Sequence, residues 1–136
     1  MRWLMAAFVA VHGLIHLMGF AKGLGYASLP QLVQPISRGM AFLWLAACLL
    51  MLATAVALIV WPRGWWIVGA VALVVSQAAI VSSWRDAWAG TIANAVVLVA
   101  VIYGWGTYGP RSFQAQFERD VASRRGRQTQ VTNVTE

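Results

Sequence analysis

The sequence predicts an all-α protein: four helices crossing a bilayer as a polytopic membrane four-helix bundle, N-in and C-in. Three observations carry this. The chain is 60% hydrophobic and 10% charged, where a soluble domain is about a quarter charged and just under half apolar. Its 136 residues contain four apolar runs, each close to the ~20 residues that one crossing needs. Lys and Arg fall almost wholly between those runs, and more heavily on one side.

The first span runs over residues 3–20. Ala6, Ala10, Gly13 and Gly19 give it small positions for close helix contact. Lys22 and Gly23 end it. The loop that follows, 23–37, carries Pro30 and Pro35, whose spacing prevents a regular helix. It reads as an interfacial segment, with Leu29, Leu32, Val33 and Ile36 dipping into the bundle and Ser37 placed to cap the next helix. The second span, 40–60, is the blandest, with Thr54 its one hydroxyl and a surface suited to a neighbouring subunit. Pro62-Arg63-Gly64 makes a turn short enough to force an antiparallel hairpin with the third span, 65–84. Arg85-Asp86-Ala87 is the next turn, and the fourth span is 88–108. Residues 1–109 thus form one membrane domain, and 110–136 a basic polar tail. Within the tail, 113–121 suits a short surface helix and the end from Gly126 reads as disordered.

Orientation follows from charge. With the N-terminus inside, the inner segments hold Arg2, Arg63, Arg111, Arg119, Arg124, Arg125 and Arg127, while the outer ones hold Lys22, Arg38 and Arg85. The excess of arginine marks the cytoplasmic side, so both termini are expected there, and the Asn133-Val134-Thr135 sequon is incidental. The tryptophans collect at span ends, as interfacial anchors do. The tail arginines suit anionic lipid; no fold or aromatic platform supports nucleic-acid binding. The single cysteine, Cys48, reads as a small packing residue. Histidines inside the first apolar run argue for a retained span over a cleaved leader.

His12 and His16 are the chemically distinctive pair. Residues four apart share one helix face, and ionisable groups inside a membrane turn toward protein or a cavity. In the predicted orientation His16 lies roughly 6 Å, Asn94 about 9 Å, Gln77 about 10 Å and His12 about 12 Å below the outer end of their spans. A shared outer-leaflet network is therefore expected, with Trp84 beside it. Its plainest role is hydrogen-bonded glue between helices. Other readings use the same residues. Zn or Cu would take His12 and His16, with Asp86 folding inward as a third ligand. Haem or a chlorophyll-type pigment would have one axial histidine, because two histidines one turn apart cannot bind opposite faces of one iron. A quinone or lipid headgroup would use His16, Asn94 and Trp84 at one end of an apolar groove. Proton-coupled transport is disfavoured, since no span core holds a carboxylate.

His12-Gly-Leu-Ile-His-Leu-Met-Gly-Phe-Ala-Lys22, Leu29-Pro-Gln-Leu, Gln34-Pro-Ile-Ser-Arg38 and Ser83-Trp-Arg-Asp-Ala87 through Asn94 resemble an uncharacterised family of small bacterial four-span membrane proteins. The resemblance covers roughly residues 1–105 and implies a bacterial inner-membrane protein, with no activity to carry over. A looser architectural similarity links the chain to DoxX-like four-helix proteins. No nucleophile constellation, acid/base pair or nucleotide loop stands out. The expectation is therefore an accessory or binding subunit embedded in the lipid bilayer, within a larger membrane-protein complex or a homo-oligomer. The rival class is a redox, metal or cofactor protein using His12 and His16.

Overall fold

A computed structural model describes residues 1–134, with side chains described to residue 127. It consists of helices α1 (Arg2–Gly23), α2 (Arg38–Val60), α3 (Trp65–Ser82), α4 (Trp84–Ala87), α5 (Gly90–Tyr108) and α6 (Phe113–Val134), with no strand among the described residues. Four segments are long and apolar enough to cross a membrane: α1, α2, α3 and the stretch that opens with α5.

The boundaries follow local chemistry. Ser37 caps α2, its Oγ accepting the Met40 N–H at 3.3 Å, which satisfies one of the free donors of the first turn. A three-residue turn after Trp61 joins α2 to α3. Between α3 and α5 the chain makes one extra helical turn, α4, where a plain turn was expected. Extended backbone at Gly109 ends α5, and Pro110 cannot continue the helix.

The four long helices form a row that curls on itself. α1 packs on α2, α2 on α3 and α3 on α5, whereas α1 and α5 meet only sparsely. Lipid gives no hydrophobic drive for helices to associate, so close van der Waals contact must supply it. Gly13 shows this directly: a Cβ there would lie 2.8 Å from the Met51 Cβ. At Gly19 a Cβ would run into the Trp44 ring. Val9, Met51, Ala55, Ala72, Val97 and Val101 fill the core between these contacts.

Three expectations need correction. α2 is an interior helix of the row, with nine buried residues between α1 and α3, so part of its bland surface is covered by its own chain. In the first loop Leu29, Leu32 and Ile36 are half-buried, but Val33 is 81% exposed. Successive residues of extended chain point opposite ways, so burying Leu32 turns Val33 outward. The tail helix also passes Gly126 and reaches Val134. Residues 113–134 lack proline, Arg and Gln are good helix formers, and Arg124 pairs with Asp120 one turn back at 3.1 Å. The Asn133 sequon lies outside the residues with described side chains.

Candidate functional site

α1 carries both histidines on the face it turns inward, and both are buried. The rings meet edge to face, 4.9 Å apart and at 89°. The His16 Nδ1 lies 3.0 Å from the His12 carbonyl oxygen. A carbonyl only accepts, so Nδ1–H must donate, and a neutral His16 then presents a lone pair at Nε2. That Nε2 is 2.9 Å from Ser76 Oγ on α3. His12 Nε2 is 2.9 Å from Asn94 Oδ1 on α5.

Asn94 is the hub. Besides His12, its Oδ1 lies 3.0 Å from Ser76 Oγ, and its Nδ2 3.0 Å from Gln77 Oε1. Gln77 Nε2 in turn reaches Thr91 Oγ1 at 3.2 Å. Helices α1, α3 and α5 are thus tied by one chain of side-chain hydrogen bonds, and the His12–Asn94 bond joins two helices that otherwise pack only sparsely.

Proton counting limits the states of this chain. Ser76 has one hydroxyl proton and two neighbours, His16 Nε2 and Asn94 Oδ1, that both ask for it. One solution places a second proton on His16, so that Nε2–H donates to Ser76 and Ser76 donates to Asn94. The other keeps both histidines neutral and turns both amides over. Thr91 then donates to Gln77, Gln77 to Asn94, Asn94 to His12 and Ser76, and Ser76 to His16. The two solutions differ by one proton and reverse every side-chain bond in the chain.

Beside the network lies a cleft of about 360 Å³, lined by His12, Ile15, His16, Met18, Trp44 and Ile80, with Asp86 and Gly90 at one edge and Gln31 and Leu32 over it. The first loop is strapped across this end. Gln34 N–H donates to Asp86 Oδ2 at 2.7 Å, and Gln34 Oε1 accepts from Arg85 N–H at 3.1 Å. Lys22 Nζ donates to the carbonyls of Leu32 and, at 2.8 Å, Gln34. Trp44 stacks obliquely on His16, with centroids 5.3 Å apart. Its Nε1–H is the one buried side-chain polar atom among the described residues without a hydrogen-bond partner. A buried donor with no acceptor carries a desolvation penalty of about 1–3 kcal/mol.

Of the sequence-predicted residues, His12, His16, Asn94 and Gln77 come together, although Gln77 touches Asn94 and Thr91 and not the histidines. Trp84 is 50% exposed and takes no part in lining the cleft; Trp44 occupies the place expected for it. Asp86 reaches the cleft edge with its carboxylate engaged by Gln34. Among the described residues no three His, Cys, Asp or Glu side chains converge as a metal-ligand set, so the expected third ligand does not join the pair. Ser76 and Trp44 are the residues that sequence reading missed as site members. Ser76 adjoins the polar Gln77, a hint at a second polar position on α3.

Fold and site together define an all-helical chain, with four segments fit to cross a membrane and a buried imidazole–amide network at one end. No family model, curated protein or solved structure matches the chain.

Proposed function

We propose that this is a small bacterial inner-membrane protein, with both termini cytoplasmic, that serves as a binding or accessory subunit. Its outer-leaflet cleft takes a small neutral amphiphile whose head carries a carbonyl-type acceptor, with quinones the best-fitting class. Membership of the four-span family with the HGLIHLxGF-type motif is part of the same reading. The orientation rests on seven basic residues at the terminal end against three at the other.

One observation carries the ligand class: the unpartnered Trp44 Nε1–H, in a residue that forms a wall of the cleft. Buried donors are almost always satisfied; the nitrogen itself is covered, so an acceptor on a bound head would satisfy it once the Trp44 ring turns toward the cleft. Ile15, Met18, Leu32 and Ile80 supply the apolar surface for the remainder. At about 360 Å³ the cleft falls within the ~300–1,000 Å³ of small-molecule sites, enough for one ring and the start of a tail.

The test is equilibrium binding of a short-chain benzoquinone to the full chain in lipid nanodiscs. Trp44→Phe keeps an aromatic ring against Gly19 and His16 but loses the donor. Saturable binding to wild type is expected, weakened about two- to tenfold in the variant, the range of one net hydrogen bond. Absence of saturable binding, or equal affinity of the variant, would overturn the proposal. So would stoichiometric zinc or copper, or a haem or pigment spectrum, in the same preparation.

A further inference from the structure

A second cavity lies at the opposite end of the bundle. Below the His12–Asn94 bond, α1 and α5 part and leave a groove of about 540 Å³. Leu4 and Phe8 form one wall, Val96 and Ala100 the other, and Leu58 and Trp65 the floor. Phe8, Val96 and Tyr103 are 38%, 43% and 72% exposed, so the groove opens sideways, toward whatever surrounds the bundle.

Its dimensions match one leaflet. Val96 and Tyr108, both lining residues, are separated by about 18 Å along α5 at 1.5 Å per residue. Half of a ~30 Å hydrocarbon core is about 15 Å. A groove of that length, open to the side and apolar along its run, suits a single extended chain better than a compact ring system.

The mouth is charged. Arg2, Met1 and Tyr108 stand at it. Arg2 has no hydrogen bond or ion pair among the described residues. No described carboxylate pairs with it. Asp86 holds Gln34 at the far end, Asp120 pairs with Arg124, and Glu118 lies on the other side of Tyr108, in a hollow with Arg63 and Ser112. A guanidinium presents paired donors that match a phosphate. At headgroup depth each such charge attracts anionic lipid.

We propose that the α1/α5 groove holds one acyl chain of an anionic phospholipid, whose phosphate rests on the Arg2 guanidinium. This site is separate from the histidine cleft and stands whether or not a quinone binds there.

The experiment uses the full chain in nanodiscs of phosphatidylethanolamine and phosphatidylglycerol in equal amounts. Lipids retained by the protein after ejection are identified by native mass spectrometry. Wild type is expected to retain one lipid and to enrich phosphatidylglycerol about fivefold, the factor of one surface arginine. Arg2→Gln is expected to keep a retained lipid but lose the enrichment. Ala100→Trp, which fills the groove, is expected to lose the retained lipid. Val99→Trp, on the exposed face of α5, should behave as wild type. No enrichment in wild type, unchanged enrichment in Arg2→Gln, or unchanged retention in Ala100→Trp would each overturn the proposal.

Discussion

Replacing Asn94 with leucine tests the network most directly, because Asn94 is bonded to His12, Ser76 and Gln77 together, at 2.9, 3.0 and 3.0 Å. Hydrogen bonds between membrane helices average about 0.6 kcal/mol and reach about 1.7, so losing three costs about 2 kcal/mol and at most about 5. The substitution also strands the His12 Nε2 in an apolar surrounding, and a stranded buried group adds about 1–3 kcal/mol. An overall loss near 3 kcal/mol is expected. The measurement is reversible unfolding in mixed micelles of mild detergent and dodecyl sulfate, followed by far-ultraviolet circular dichroism. The His12→Leu/Asn94→Leu pair sharpens it. Removing both partners leaves no orphan from their bond, so the double variant should be less destabilised than the two singles added together. The coupling should fall at about 0.6–1.7 kcal/mol. A loss below about 0.5 kcal/mol for Asn94→Leu, the range of unremarkable surface changes, would refute the network as a structural element. Zero coupling would refute the His12–Asn94 bond itself.

Two further outcomes follow from the strap and from the orientation. Asp86→Ala removes the acceptor of the Gln34 N–H, a bond to a charged group, so amide exchange across residues 29–36 should quicken about tenfold; unchanged protection would show that the loop is held by other means. In a Cys48→Ala background, single cysteines at Tyr26, 75% exposed, and at Ser123 should be labelled by an impermeant maleimide from opposite faces of the membrane. Labelling of both from one face would refute the assigned topology.

The four spans were legible because length and apolarity alone define a crossing, and the shared histidine face because four residues make about one helical turn. The order of packing was not legible. A helix that is apolar all round has no stripe to show which face is buried, so α2, an interior helix of the row, read as the one most open to partners. Ser76 was hidden for a related reason. Ser76 and Gln77 are neighbours, about 100° apart on a helix, and both prove to join the network by facing different partners. Trp44 was hidden by a sufficient alternative, since a tryptophan near a span end is well explained by interfacial anchoring. Its burial, its unpartnered nitrogen and its contact with His16 set it apart from Trp84.

The two cavities also bear on binding against passage. Between the His12 level and the Arg2 level lie Ala6, Val9, Met51, Ala55, Val97 and Val101, all buried and all apolar. The one buried hydroxyl on this part of α2, Thr54, is turned back on its own helix, donating to the Leu50 carbonyl at 2.8 Å. Phe8 and Val96 line the groove and His12 the cleft, so about one helical turn separates the two cavities, and an ion crossing it would meet packed apolar side chains, at the cost that hydrocarbon imposes on charge. On the proposed function, a ligand entering the cleft fits this arrangement better than passage of an ion between the two cavities.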